Sequence, residues 1–136
     1  MKYPPLHHHI GGNSVSGNVL KLPVVSPLDG SQLSEVPSGT AEGVSTAAEI
    51  AKAAQQEWAE WTMRQRSQVF YRYRQLLLDH QDELAQLIHE ENGKTVAEGK
   101  AEVVRAIEVT EFACSLPQMV AGHVMQVSRN VECSTE

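Results

Sequence analysis

The sequence predicts a mainly α-helical fold with short N-terminal β-hairpin strands and a C-terminal strand. Apolar residues recur at three- and four-residue intervals over residues 44–116, the spacing of amphipathic helices. Prolines crowd the start of the chain and exclude a continuous helix there. Residues 123–127, which follow a glycine, have the composition of a strand. The chain therefore divides into an extended arm (1–39), a helical segment (40–122) and a C-terminal strand region (123–136).

Short strands are predicted within the arm. Residues 19–25 indicate a strand that Pro23 restricts to a sheet edge, because proline has no N–H to donate to a second neighbour. Residues 32–36 indicate the returning strand. Residues 26–30 form the turn, with a proline that presets φ and a glycine that accepts positive φ. Residues 10–15 indicate one further strand, interrupted by two glycines.

The first helix is predicted to begin after the arm. Thr40 is a candidate N-cap, and Thr46 with Glu49 three residues later is a competing capping box. Apolar residues fall on one face of this helix, which we expect to be buried. That face comprises Val44, Ala47, Ala48, Ala51, Ala54 and Trp58.

Two more helices follow. Trp58 and Trp61 are predicted to close the first helix against the second, which begins at a capping box in residues 62–65. A break is expected at residues 79–80, and Gly93 ends the third helix. The predicted buried stripes are Val69, Phe70, Tyr73, Leu76 and Leu77 in the second helix and Leu84, Leu87 and Ile88 in the third.

The longest helix begins at a further capping box, residues 95–98. Residues 103–116 are apolar nearly all round, and a helix that is apolar on most sides is buried on most sides. We therefore expect further protein to cover it. The charges that interrupt this stretch are Arg105, Glu108 and Glu111.

The end of the chain is predicted to leave the helical segment and turn back on itself. Pro117 permits a last short helical turn, and Gly122 ends the segment. Residues 123–127 then form a strand, residues 128–130 a turn, and residues 131–135 begin a second strand.

Composition narrows the class of protein. The net charge of −6, from 11 basic and 17 acidic residues, argues against a nucleic-acid partner, since phosphate binding needs a basic face. The sequence has no run of 18 apolar residues, so no membrane helix is expected. Two cysteines without metal spacing, and a start without an apolar signal core, indicate a cytoplasmic protein with free thiols.

Cofactor and metal motifs give no site. The sequence has neither G-x-G-x-x-G nor a P-loop, and residues 93–95 are explained as a helix stop followed by a helix cap. Imidazoles suit zinc or nickel. However, adjacent histidines at 7–9 in an extended segment point to alternate sides, which favours a solvated arm. We therefore predict no cofactor-binding and no metal-binding residue.

Cys114 and Arg105 are the two candidates for chemistry. Cys114 lies late in an apolar helix without an activating base, which indicates a buried structural thiol and leaves the chain with no predicted catalytic residue. Arg105 has two interpretations. It forms a local pair with Glu102 or Glu108, or it anchors a carboxylate, which a guanidinium grips at two points.

Several short motifs follow one another along the chain. They are Ile10-Gly11-Gly12-Asn13, Ser26-Pro27-Leu28-Asp29-Gly30, Val36-Pro37 with Thr40-Ala41-Glu42, Trp58 with Trp61, Arg64-Gln65-Arg66, and Glu91-Asn92-Gly93-Lys94-Thr95. In that order they resemble the aldehyde dehydrogenase superfamily over residues 10–136. Gly43 departs from the acidic residue more usual in that family. The resemblance implies a partial, N-terminal segment of an α/β aldehyde dehydrogenase NAD-binding domain.

The later part of the chain resembles the methylmalonate-semialdehyde dehydrogenases. The matching residues are Glu91-Asn92-Gly93-Lys94, Glu102-Val103-Val104-Arg105 and the run from Val109 to Pro117. In that subfamily the arginine at the position of Arg105 faces the substrate tunnel and holds the substrate carboxylate. The resemblance therefore implies a substrate-binding role for Arg105.

The resemblance also implies a parent enzyme. It would oxidise a carboxylated semialdehyde, such as methylmalonate semialdehyde, with NAD, and pass the acyl group to coenzyme A or water. Residues 40–122 would be the helical part of the NAD-binding domain and residues 123–136 the start of an oligomerisation hairpin. Homo-oligomer contacts are expected through 123–136 and the helix 96–116. The family's catalytic cysteine would lie beyond residue 136, so the isolated chain is expected to be inactive and to bind no NAD. The alternative is a stand-alone helical interaction domain without catalysis.

Overall fold

The computed structural model describes residues 1–16, 19–120, 122–128 and 130–135. Five helices and three two-stranded antiparallel sheets occur in this part of the chain, which confirms the predicted mainly α-helical fold with terminal strands. Arg129 of the predicted turn and Glu136 lie outside the described residues. The elements in chain order are β1 (His8–Ile10), β2 (Asn13–Val15), β3 (Lys21–Val25), β4 (Gln32–Pro37), α1 (Ala41–Glu60), α2 (Met63–Asp79), α3 (Gln81–Asn92), α4 (Val96–Cys114), α5 (Leu116–Met119), β5 (His123–Ser128) and β6 (Val131–Thr135).

The arm is two hairpins. The single strand expected over residues 10–15 is wrong, because Gly11 and Gly12 both have positive φ (59° and 78°) and form the turn that joins β1 to β2. Successive residues with positive φ are what a tight two-residue hairpin turn requires. The β3–β4 pairing is confirmed, with Pro23 opposite Glu35.

The first residues of the chain cover the free edge of β4. The N–H groups of Lys2 and Tyr3 both donate to the Leu33 carbonyl, at 3.0 and 2.8 Å. The Leu6 N–H donates to the Glu35 carbonyl at 2.8 Å. Because an unpaired strand edge recruits other chains, these bonds protect one side of the hairpin.

The predicted helix ends are confirmed, and of the two candidate starts of the first helix the structure uses Thr40. Thr40 caps α1 by accepting a hydrogen bond from the Gly43 N–H at 3.0 Å, and the competing box at Thr46 lies inside the helix. The α1–α2 corner is held by the Trp58 and Trp61 rings, whose centroids are 5.1 Å apart. The Arg66 guanidinium donates to two backbone carbonyls of that corner.

The core lies between α2, α3 and α4. Leu77, Val103 and Ile107 form its centre, and Leu84 and Ile88 of α3 pack against them. The predicted burial of Tyr73 and Leu76 in α2 is wrong, since both are more than half exposed.

The predicted burial of the α1 apolar face is wrong, whereas α4 has apolar area left uncovered, as expected of a helix that needs further protein to cover it. No residue of α1 is buried, and Val44 of its predicted apolar face is 66% exposed. In α4 only one stripe is buried, while Val109 and Phe112 are 70% and 63% exposed. The reason is the same for both helices, because the described residues supply no second layer to cover these faces. None of the described helices is long and apolar enough to cross a membrane.

Candidate functional site

The turn between α3 and α4 sets the position of the candidate site. Gly93 ends α3 with φ of 78°, in the left-handed region that glycine tolerates. Two residues later Thr95 begins α4 through a capping box. Its N–H donates to the Glu98 carboxylate at 2.8 Å, and the Glu98 N–H donates back to the Thr95 hydroxyl at 3.3 Å. The Thr95 N–H and hydroxyl lower the pKa of Glu98 below its ordinary value. Both local predictions are confirmed.

A close contact between α3 and α4 fixes which face of α4 looks outward. A Cβ atom at Gly99 would lie 2.7 Å from the Ala85 carbonyl oxygen, so only glycine permits this approach. Gly99, Val103, Ile107 and Thr110 are buried along the contact stripe. Arg105 is offset from that stripe and is exposed.

Arg105 lies in a shallow groove of about 210 Å³ on the outer side of α4. The groove is lined by Lys94, Glu98, Ala101, Glu102 and Arg105. The predicted local pair is not formed. Glu102 pairs with the Lys94 amine instead, and no carboxylate of the described residues lies within 4 Å of the Arg105 guanidinium. The arginine is therefore presented to solvent with its donors available.

Cys114 is buried, as the sequence predicted. It borders a cleft of about 470 Å³ between α2, α4 and α5. The acidic side chain of that cleft, Glu111, is bound by the Arg74 guanidinium at 2.6 Å, so it is not available as a base for the thiol. Activation of a thiol needs such a base or a helix N-terminus. Cys133 is exposed on β6.

The histidine run lies on and before β1, with His7 and His9 exposed and His8 half-buried. Within the described ranges no three histidine, cysteine, aspartate or glutamate side chains are grouped closely enough to hold a metal ion. Adjacent strand residues point to opposite faces, which explains why the run does not converge.

A buried carboxylate at the end of α3 was missed from the sequence. Glu90 is 7% exposed and accepts hydrogen bonds from the Lys2 amine (2.7 Å), the Gln86 amide (2.9 Å) and the Tyr3 hydroxyl (2.9 Å). Lys2 first, then Gln86 and Tyr3, lower the Glu90 pKa to about 2. The Ser26 hydroxyl donates to the Glu90 carbonyl at 2.8 Å. We call this cluster the N-terminal clasp. No local pattern reveals it, because Lys2, Tyr3 and Ser26 are 64 to 88 residues from Glu90 in the sequence.

At the other end of the chain, β5 and β6 form an antiparallel hairpin. Met125 pairs with Cys133, and Asn130 in the turn has φ of 65°. The hairpin predicted for residues 123–135 is thus present. Each strand has one edge that β5–β6 pairing leaves open.

Known proteins resemble this chain in both sequence and fold. The profile of the aldehyde dehydrogenase family matches residues 15–136. Malonate-semialdehyde dehydrogenase of Lacticaseibacillus casei is 38% identical over 112 residues, which is 82% of this chain and 23% of that protein. Malonate-semialdehyde dehydrogenase 2 of Oceanobacillus iheyensis is 39% identical over 116 residues, covering 85% of this chain and 24% of that protein.

Solved structures of related enzymes have the same fold as this chain. Methylmalonate-semialdehyde dehydrogenase of Oceanimonas doudoroffii superimposes with a TM-score of 0.86 and 28% identity, over 96% of this chain and 27% of that one. A protein of Sinorhizobium meliloti 1021 described as a methylmalonate-semialdehyde dehydrogenase, solved with NAD, superimposes with a TM-score of 0.84 and 31% sequence identity. The match covers 97% of this chain and 27% of that one. The chain spans about a quarter of the length of the curated relatives it matches. The match over residues 15–136 confirms the predicted family, and the chain belongs to the aldehyde dehydrogenase family.

Proposed function

We propose that this chain is a segment of an NAD-dependent dehydrogenase that oxidises a carboxylated semialdehyde, such as malonate or methylmalonate semialdehyde. Within that enzyme the segment supplies a substrate anchor, Arg105, together with helical scaffold and an oligomer contact. The single observation that carries the proposal is an exposed Arg105 in a groove whose two glutamates, Glu98 and Glu102, are bound by other groups. The names of the relatives supply the substrate class.

The role proposed for Arg105 follows from the chemistry of its side chain. A guanidinium remains protonated at all physiological pH values and presents parallel N–H donors that match the two oxygens of a carboxylate. A semialdehyde of a dicarboxylic acid carries one carboxylate at the end remote from the aldehyde. Binding that carboxylate would orient the aldehyde without any contact at the reacting carbon.

The described residues do not fit a dinucleotide. Phosphates bind at helix N-termini through free backbone N–H groups. At α2 and α4 such groups are taken by the capping side chains of Gln65 and Glu98. At α1 and α3 the first turns carry acidic residues, Glu42 in one and Asp82 with Glu83 in the other, whose charges would repel a phosphate. We propose that NAD binding, the nucleophilic cysteine and the choice between coenzyme A and water as acyl acceptor belong to other parts of the parent enzyme. By itself the 136-residue chain is expected to form no NADH from propanal or malonate semialdehyde.

A chimera tests the proposal. Residues 15–136 would replace the matched segment of the Lacticaseibacillus casei malonate-semialdehyde dehydrogenase, and Arg105→Leu would be introduced into it. Loss of a charge-assisted carboxylate contact costs roughly 1.5–3 kcal/mol, or about a 10- to 150-fold fall in kcat/KM for malonate semialdehyde. Propanal, which has no carboxylate, serves as the internal control. An equal loss on both aldehydes would contradict the anchor role.

One observation favours a second function, a helical interaction domain without catalysis. Val109 and Phe112 of α4 form part of an exposed apolar surface, and such surfaces mark interaction sites. Reading the DNA that follows codon 136 separates the two functions. Continuation into an open frame with a downstream cysteine would support the dehydrogenase, whereas an unrelated sequence would favour the interaction domain.

A further inference from the structure

Two glutamates share the groove of Arg105, and either could neutralise it. Glu102 is three positions before the arginine on α4, the spacing at which helix side chains pair. Glu98 lines the same groove. An arginine paired with a helix neighbour would have to exchange that carboxylate for one from the substrate. Glu108, three positions after the arginine, forms no ion pair with it among the described residues. The state of the two groove glutamates therefore decides whether the arginine is open to a substrate.

Glu98 is committed to the helix start. Its carboxylate accepts hydrogen bonds from both the N–H and the hydroxyl of Thr95, each at 2.8 Å. The partial positive charge of the α4 N-terminus stabilises a carboxylate at this position. These two hydrogen bonds hold the Glu98 carboxylate at the start of the helix, where it does not pair with Arg105.

Glu102 is committed to Lys94. The two side chains form an ion pair across the first turns of α4, and each is only about 40% exposed (40% and 42%). The backbone of Lys94 is held by the α3–α4 turn. Gly93 before it is in the left-handed conformation, and Nδ1 of the His89 ring lies 2.5 Å from the Lys94 carbonyl oxygen. The conformation of the turn thus places the Lys94 side chain beside Glu102.

We propose that Lys94 is a positioning residue that occupies Glu102 and so leaves Arg105 free to bind an external carboxylate. Lysine suits this role, since its ammonium is a single point charge on a flexible stem and does not compete for the two-point contact. Without Lys94, Glu102 would turn to Arg105 and close the anchor. This role rests on the proposed function of Arg105 as a carboxylate anchor.

The pairing can be tested in the 136-residue chain by NMR. The guanidinium of Arg105 rotates about its Nε–Cζ bond more slowly when it is held by a carboxylate. Lys94→Met is expected to slow that rotation, and the double variant Lys94→Met with Glu102→Gln is expected to restore it. Lys100→Met is the matched control, because it removes another lysine pair of α4, with Asp82 at 2.6 Å, outside the groove. Unchanged Arg105 signals in Lys94→Met, or equal changes in Lys100→Met, would overturn the proposal.

The consequence for binding is tested in the chimera. Lys94→Met should raise KM for malonate semialdehyde about two- to fivefold, the size expected of an exposed ion pair, with kcat and propanal kinetics unchanged. Adding Glu102→Gln should remove the effect. No change in KM, or the same change with propanal, would overturn the positioning role. If Arg105→Leu leaves malonate semialdehyde kinetics unchanged, the proposed anchor itself fails, and the NMR experiment still decides whether Lys94 controls the pairing.

Discussion

Helices α1 and α4 are of nearly equal length and carry apolar residues at the same helical spacing, but only α4 uses them to build a core. α4 buries Val103 and Ile107 against α2 and α3, whereas α1 buries no residue at all. The sequence pattern of an amphipathic helix therefore predicts the helix and its apolar face reliably. Whether that face is covered depends on which other elements are present to cover it.

The largest contrast is expected from truncating one apolar side chain in each helix. Ile107→Ala in α4 should lower the free energy of unfolding by roughly 2–5 kcal/mol, since it removes buried methyl groups and leaves a cavity. Val44→Ala in α1 should change it by less than about 0.5 kcal/mol, because Val44 is already exposed. Chemical denaturation of the two variants measures both values. Equal effects would show that α1 is packed in solution and would contradict the comparison.

A smaller effect is expected at the α3–α4 contact. Gly99→Ala places a Cβ atom 2.7 Å from the Ala85 carbonyl oxygen, a contact that only a backbone shift relieves. Overpacking of this kind costs about 1–3 kcal/mol, partly offset by the roughly 1 kcal/mol helix propensity of alanine over glycine. The net result should be destabilisation, measured as a lower Tm. A higher Tm would mean that the two helices do not approach as closely as described.

The N-terminal clasp is expected to make the free energy of unfolding depend on pH below pH 4.5. Glu90 has a folded-state pKa of about 2 against an ordinary value of 4.5. Its contribution is therefore complete above pH 4.5 and is lost as the pH falls towards 2. Glu90→Gln should flatten the fall in stability over that range, and Glu91→Gln, at the exposed neighbouring position, is the control. An acid-side profile that is identical in all three proteins would rule out the clasp as its source.

The smallest effect is expected in self-association. The open edges of β5 and β6 and the exposed Phe112 and Val109 of α4 are two independent surfaces for a second copy of the chain. We expect sedimentation velocity to detect a concentration-dependent dimer, the commonest symmetric assembly. A chain ending at Gly122 should dimerise less. Only monomer at high concentration in both chains would contradict the prediction, and equal dimerisation would assign the contact to α4 alone.

The sequence by itself determined the parts of this protein that are governed by neighbouring residues. The capping boxes at Thr62 and Thr95 and the stop at Gly93 were predictable because a cap is formed by side chains three residues apart and a left-handed stop needs glycine. The α2–α3 break and the β3–β4 hairpin followed from the same short-range rules, whereas the β1–β2 hairpin was not predicted. Membership of the aldehyde dehydrogenase family was readable from the order of such local motifs.

Only the tertiary structure decided contacts between residues distant in the chain. The Glu90 clasp joins the first residues to α3, and no sequence period indicates such a pairing. The burial of one stripe of α4, and the exposure of Tyr73 and Leu76, depended on which helices lie beside them. Arg105 shows the same division at the candidate site. Spacing allowed a pair with Glu102 or Glu108, but the α3–α4 turn brings Lys94 to Glu102 and leaves the arginine facing solvent. Local rules cannot settle such a competition, because its outcome depends on distances that the folded chain alone establishes.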